Sequence, residues 1–89
     1  VPHNVALFHN YPNPFNPTTN INFHVETSHT TSLQIYDING RIVDILIQDK
    51  IKPGLHQIKW DGTEFASGIY FAKLRSGEKV KTQKIMLLK

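Results

Sequence analysis

Ile21-Asn22-Phe23-His24-Val25 sets an apolar side chain at every second position, and the chain returns to that rhythm repeatedly between turn signals. A period of two puts Ile21, Phe23 and Val25 on one face and Asn22 and His24 on the other, as in a strand with one buried side. The polar run Glu26–Ser32 interrupts the pattern, and Leu33-Gln34-Ile35-Tyr36-Asp37-Ile38 resumes it. Asn39-Gly40 follows as the favoured pair for a type I′ hairpin, with Ile42–Ile47 as the return strand. Ile42, Ile45 and Leu46 also fit a helical spacing, but only a dozen residues separate Gly40 from Pro53, and the isoleucines favour a strand. Pro53-Gly54 turns the chain again. His56, Ile58 and Trp60 then share a face, Asp61-Gly62-Thr63 ends that strand, and Ile69–Leu74 and Val80–Leu88 form a last pair around Ser76-Gly77-Glu78. With Val5, Leu7 and Phe8 as a short first strand, the count is seven. The expectation is an all-β, immunoglobulin-like antiparallel β-sandwich with Trp60 in its core.

One segment does not alternate. Three X-Pro steps between Tyr11 and Pro17 forbid a helix, because each proline removes a donor and biases its predecessor toward extended conformations. Tyr11 and Phe15 supply apolar anchors, so an ordered extended loop pinned against the domain is expected. Ten Ile, five Val and seven Thr against three Ala and three Glu agree with strands throughout. The chain has 89 residues, enough for one domain, and no cysteine to staple it. No apolar run exceeds four residues, as at Ile85–Leu88, too short for a membrane-spanning helix. Residues 1–89 read as one domain taken from a longer polypeptide, since the chain begins at Val1.

Charge is unevenly spread. Residues 1–40 contain no Lys or Arg, whereas residues 73–89 hold six basic residues against Glu78 alone. Alternating lysines keep an edge strand soluble, and the same charges orient an acidic partner.

Several pieces, in order, carry a family resemblance: Asn10-Tyr11-Pro12-Asn13-Pro14-Phe15-Asn16-Pro17-Thr18-Thr19 with Ile21 and Phe23; Ile35-Tyr36-Asp37-Ile38-Asn39-Gly40-Arg41; Trp60-Asp61-Gly62; and Ser67-Gly68-Ile69-Tyr70 before a Lys-ending tail. Over about residues 7–89 the chain resembles the type A C-terminal sorting domain of type IX (Por) secretion cargo. It is also similar to the immunoglobulin-like module of flagellar hook-capping proteins. The resemblance implies a non-catalytic sorting and anchoring domain that directs an upstream cargo across the outer membrane of a Gram-negative bacterium, through the periplasm, to the cell surface. The partner it implies is the outer-membrane secretion machinery. For the recognition element we expect the basic last strand, with Lys79, Lys81, Lys84, Leu87, Leu88 and Lys89, supported by Gly68 and Tyr70 on the strand before it. An edge strand offers unpaired backbone groups and its lysines add orientation.

Other chemistries find little footing. Ser28-His29 has no Gly-x-Ser-x-Gly setting, and Glu26, Asp37, Asp44, Asp49, Asp61 and Glu64 show no pairing across a cleft. His3, His9, His24, His29 and His56 lack metal-ligand spacing, and Gln48 stands where a calcium loop opened by Asp37 would need its closing carboxylate. No cofactor, nucleic acid or stable membrane insertion is expected, and the domain is expected to be monomeric. The alternative function is an accessory module of a secreted hydrolase, binding carbohydrate through Tyr11, Tyr36, Trp60 and Tyr70 or packing on a neighbouring domain.

Overall fold

A computed structural model describes residues 4–89, so His3 lies outside the described residues. Seven strands follow one another: β1 Val5–Leu7, β2 Thr18–Val25, β3 His29–Asp37, β4 Ile42–Ile51, β5 Gly54–Asp61, β6 Gly68–Ser76 and β7 Lys79–Leu87. They form two antiparallel sheets, ordered β1-β2-β5 and β4-β3-β6-β7. The immunoglobulin-like sandwich expected from the alternation is the fold observed.

The period of two decides what fills the core. Ile21, Phe23 and Val25 of β2 face Leu33 and Ile35 of β3, Ala72 and Leu74 of β6, and Ile85 and Leu87 of β7, all buried. Trp60 is 1% exposed and packs among Phe15, Phe65 and Tyr70 with ring centroids 5.4–5.6 Å away. Its indole N–H donates to Asp44 Oδ2 at 2.9 Å, tying β5 to β4. Since Trp60 and Tyr70 are buried, and Tyr36 lies on the opposite sheet from Trp60's strand, the four aromatics make no common sugar platform. His56 is half-buried, stacked on Phe23 at 5.3 Å and bonded to the Lys52 carbonyl.

Three local expectations are corrected. The hairpin after β3 is not type I′, because Asn39 keeps a negative φ and only Gly40, at φ +83°, is left-handed. Gly40 N–H donates to the Asp37 carbonyl, and Asp37 N–H to the Arg41 carbonyl, closing a three-residue loop in which Asn39 occupies a type I position. Asp37 selects it: its Oδ1 accepts the amides of Asn39 and Arg41 at 2.9 and 3.0 Å.

Strand β4 continues to Ile51 rather than ending at Ile47. Its register with β3 slips twice, passing over Leu46 between Ile47 and Ile45, and over Val43 between Asp44 and Ile42. Two bulges let Val43, Leu46 and Ile47 all reach the core, which strict alternation forbids. The core set is thus spaced as on a helix, but it is not the Ile42, Ile45 and Leu46 set, of which the two isoleucines are exposed.

Strand β3 begins at His29, inside the polar run, and β6 runs on to Ser76. Thr31 and Ser76 are cross-strand partners whose hydroxyls bond each other at 2.9 Å, so both are buried with their polar atoms satisfied.

Candidate functional site

Strand β7 lies at one end of the four-stranded sheet, with β6 as its ladder partner from Gly68↔Leu87 to Ser76↔Lys79. Its outer edge is divided. At one half the proline-rich segment docks against it through an isolated parallel bridge between Phe15 and Leu87. Phe15 N–H donates to the Met86 carbonyl and Leu88 N–H to the Phe15 carbonyl, each at 2.9 Å. The Asn13 side chain continues the zip: its amide donates to the Lys84 carbonyl and its Oδ1 accepts from Met86 N–H. Prolines suit this segment because they lack only an N–H, and the amides the arm uses belong to Tyr11 and Phe15. Phe15 is its anchor at 1% exposure, whereas Tyr11, expected as a second anchor, is 77% exposed and contributes only a backbone bridge to Asn20.

The other half of the edge has no such cover: Val80, Lys81 and Thr82 are exposed, although β1 packs beside β7. Lys84, Met86 and Leu88 point their backbone groups outward, so the alternation of the ladder directs those of Val80 and Thr82 outward too. Among the described residues neither has an outward backbone partner. The opposite sheet end, β4, is blunted instead: the amides of Ile45 and Lys50 are taken by the carboxylates of Asp44 and Asp49.

The expected site residues separate by parity. Lys79 and Lys81 share the inward parity of Ile85 and Leu87 but stand exposed. Lys84 lies on the outer face of β7 opposite Phe71. Lys89, past the strand end, folds back so that its Nζ donates to the Thr63 carbonyl and its N–H to Ser67 Oγ. Leu88 is 51% exposed, while Leu87 is fully buried and Tyr70 is 7% exposed with its hydroxyl on the Ala66 carbonyl. Gly68 pairs with Leu87 and starts β6. Leu87, Tyr70 and Gly68 therefore hold the strand, and the lysines and Leu88 are its accessible side chains. Sequence reasoning missed Asn13 and Phe15 as part of this region. The proline motif was the signal, but nothing in it says which strand receives it.

Gly62 completes the support. A Cβ there would come 2.9 Å from Leu87 Cδ2 and 3.3 Å from the Pro17 carbonyl, to which Gly62 N–H donates at 2.8 Å. The close approach of β5, the arm and β7 thus requires the missing side chain.

Two carboxylates at the sheet ends are held below their ordinary pKa of 3.8. For Asp37 the foremost cause is the Arg41 amide, with the Asn39 amide and the guanidinium, 3.5 Å away, adding to it. For Asp61 it is the Thr63 hydroxyl, followed by the Thr63 amide, Lys59 and Lys89. A depressed folded value favours the ionised native state, so this stabilisation is complete above the ordinary value and lost as pH falls below 3.8 through the folded values. Stability measured by urea melts should therefore drop on acidification, and Asp37→Asn with Asp61→Asn should flatten the drop below about pH 4. An unchanged slope in the double variant would assign acid sensitivity to other groups.

Among the described residues no three His, Cys, Asp or Glu side chains gather as a metal site. No curated protein matches the chain. A solved chain of PorZ, described as an essential bacterial surface component of the type-IX secretion system of human oral-microbiomic Porphyromonas gingivalis, superposes with a TM-score of 0.64. The two are 21% identical, and the match covers 94% of this chain and 12% of that one, so the likeness is one of fold. The family model of the secretion system C-terminal sorting domain matches residues 9–88, nearly the whole length, and the chain belongs to that family of sorting signals for type IX secretion.

Proposed function

We propose that the exposed part of β7 and the tail beyond it form the surface by which the secretion machinery reads this domain. Sorting domains of this family interact with that machinery and mark secreted or cell-surface proteins of Bacteroidetes-type bacteria, and such tails are normally non-catalytic. The finer reading is a monomeric, non-enzymatic module fused behind a cargo that passes through the periplasm and across the outer membrane. The observation that supports it is the divided edge: a strand zipped at one half by residues 13–15 and open at Lys79–Thr82, with lysines beside the open half. A cargo exported in its folded form presents surfaces, so its signal must be built on a stable fold. Open backbone groups accept a partner strand, and the lysines draw in an acidic one.

The test is export of a folded reporter carrying residues 1–89 at its C-terminus, in a bacterium with a type IX system. Deleting Lys84–Lys89 is uninformative, because Ile85 and Leu87 are core residues and the arm loses its strand. Replacing Lys79, Lys81, Lys84 and Lys89 by Gln keeps every ladder bond. The expected result is a normal melt with the reporter retained in the periplasm. Normal export of that variant would refute recognition by charge. Retention of the intact fusion would favour an accessory domain of a secreted hydrolase.

A further inference from the structure

The outer face of the four-stranded sheet collects residues of which the sorting reading uses only those on β7. Cross-strand pairing sets them in three rows: Ile42–Tyr36–Phe71–Lys84, Ile45–Gln34–Lys73–Thr82 and Gln48–Ser32–Arg75–Val80. Lys73, Arg75 and Lys84 stand here without a carboxylate in any row. Asp37, at the margin, is already engaged by Arg41 and two turn amides. Lys73 Nζ lies 5.4 Å above the Tyr36 ring, whose hydroxyl donates to Gln34 Oε1, so this centre is ordered before any partner arrives. Beside it Ile42 and Ile45 are each 49% exposed, and a shallow depression opens between Tyr36, Phe71 and Lys73.

We infer that this face is a docking surface for an acidic protein segment carrying apolar side chains. The cations select a negative partner, and the aliphatic rows select among negative partners. Isoleucines meet leucine or valine well, and they gain little from the hydroxyls of an acidic polysaccharide. Tyr36 and Phe71 are half-buried in a flat sheet and cannot reach into a bilayer. Four strands about 4.8 Å apart and three rows about 7 Å apart give a face of roughly 400 Å². That is about half of one partner's share in a standard interface, so the contact belongs to the transient, salt-sensitive class.

The inference does not rest on the sorting role, and export is not its readout. Amide shifts of the 89-residue domain are followed while a short acetylated peptide alternating glutamate and leucine is added. Polygalacturonate and phosphatidylglycerol vesicles are the competing probes. The expected shifts centre on Tyr36, Phe71 and Lys73, and the affinity falls at least about tenfold between about 50 and 300 mM salt. Lys73→Gln with Arg75→Gln should weaken binding at least about tenfold, and so should Ile42→Ser with Ile45→Ser, each with an unaltered melt. Lys79→Gln with Lys81→Gln should leave it unchanged. Tighter binding of polygalacturonate or vesicles, indifference to the serine variant, shifts confined to Lys79–Thr82, or no shift at all would each overturn the proposal.

Discussion

Trp60→Ala is expected to lower stability by about 3–5 kcal/mol, a large part of the roughly 5–10 kcal/mol available to a domain of this size. The side chain is 1% exposed and touches three rings contributed by three separate parts of the chain: Phe15 from the arm, Phe65 from the loop after β5, and Tyr70 from β6. An alanine leaves a void bordered by all three, and no single neighbour can collapse into it. It also strips Asp44 Oδ2 of its donor on the bulged strand. Trp60→Phe keeps most of the packing and loses the indole bond, so it should fall well short of that cost. Trp60 is the sole tryptophan, and its emission should be blue-shifted in the native state. Urea melts followed by circular dichroism check the stability. A loss under about 1 kcal/mol for the alanine variant would mean that the ring is not structural.

Phe15→Ala should cost a similar amount, about 3–5 kcal/mol, but with a different signature. Phe15 is the one side chain by which the proline arm enters the core, and its own backbone is paired on both sides with β7. Its loss should release the arm, so the amides of Phe15 and Leu88 should exchange with solvent far faster than those in the β3–β6 ladder. Phe15→Leu conserves most of the volume and should lose less than about 1.5 kcal/mol. If amide protection of Leu88 survives the alanine change, the arm is held by its backbone bonds and by Asn13 alone.

The sequence shows the fold wherever one residue in two is apolar and the strand is regular, as in β2 and the middle of β3. It hides the fold where geometry absorbs an extra residue. Val43 and Leu46 break the period because β4 bulges beneath them, and a bulge leaves no mark that separates it from a helical stripe. Thr31 and Ser76 look like loop residues because each hydroxyl's partner lies 45 positions away in the chain. For the candidate site, the basic terminal strand and its edge position follow from composition and order. The division of its lysines between two faces follows from parity alone. The cover over its other half was not legible: Asn13 and Phe15 reach residues more than 70 positions distant, and local propensity says nothing about such a pairing.

That pairing also ties the signal to the completeness of the chain. During synthesis residues 13–15 emerge long before residues 84–88, and until those arrive the arm has no strand to receive it and Trp60 lacks the Phe15 wall of its pocket. A chain interrupted anywhere before β7 therefore displays neither the zipped half of the edge nor the open one. Under the proposed reading, a chain that stops before β7 presents no such surface to the machinery.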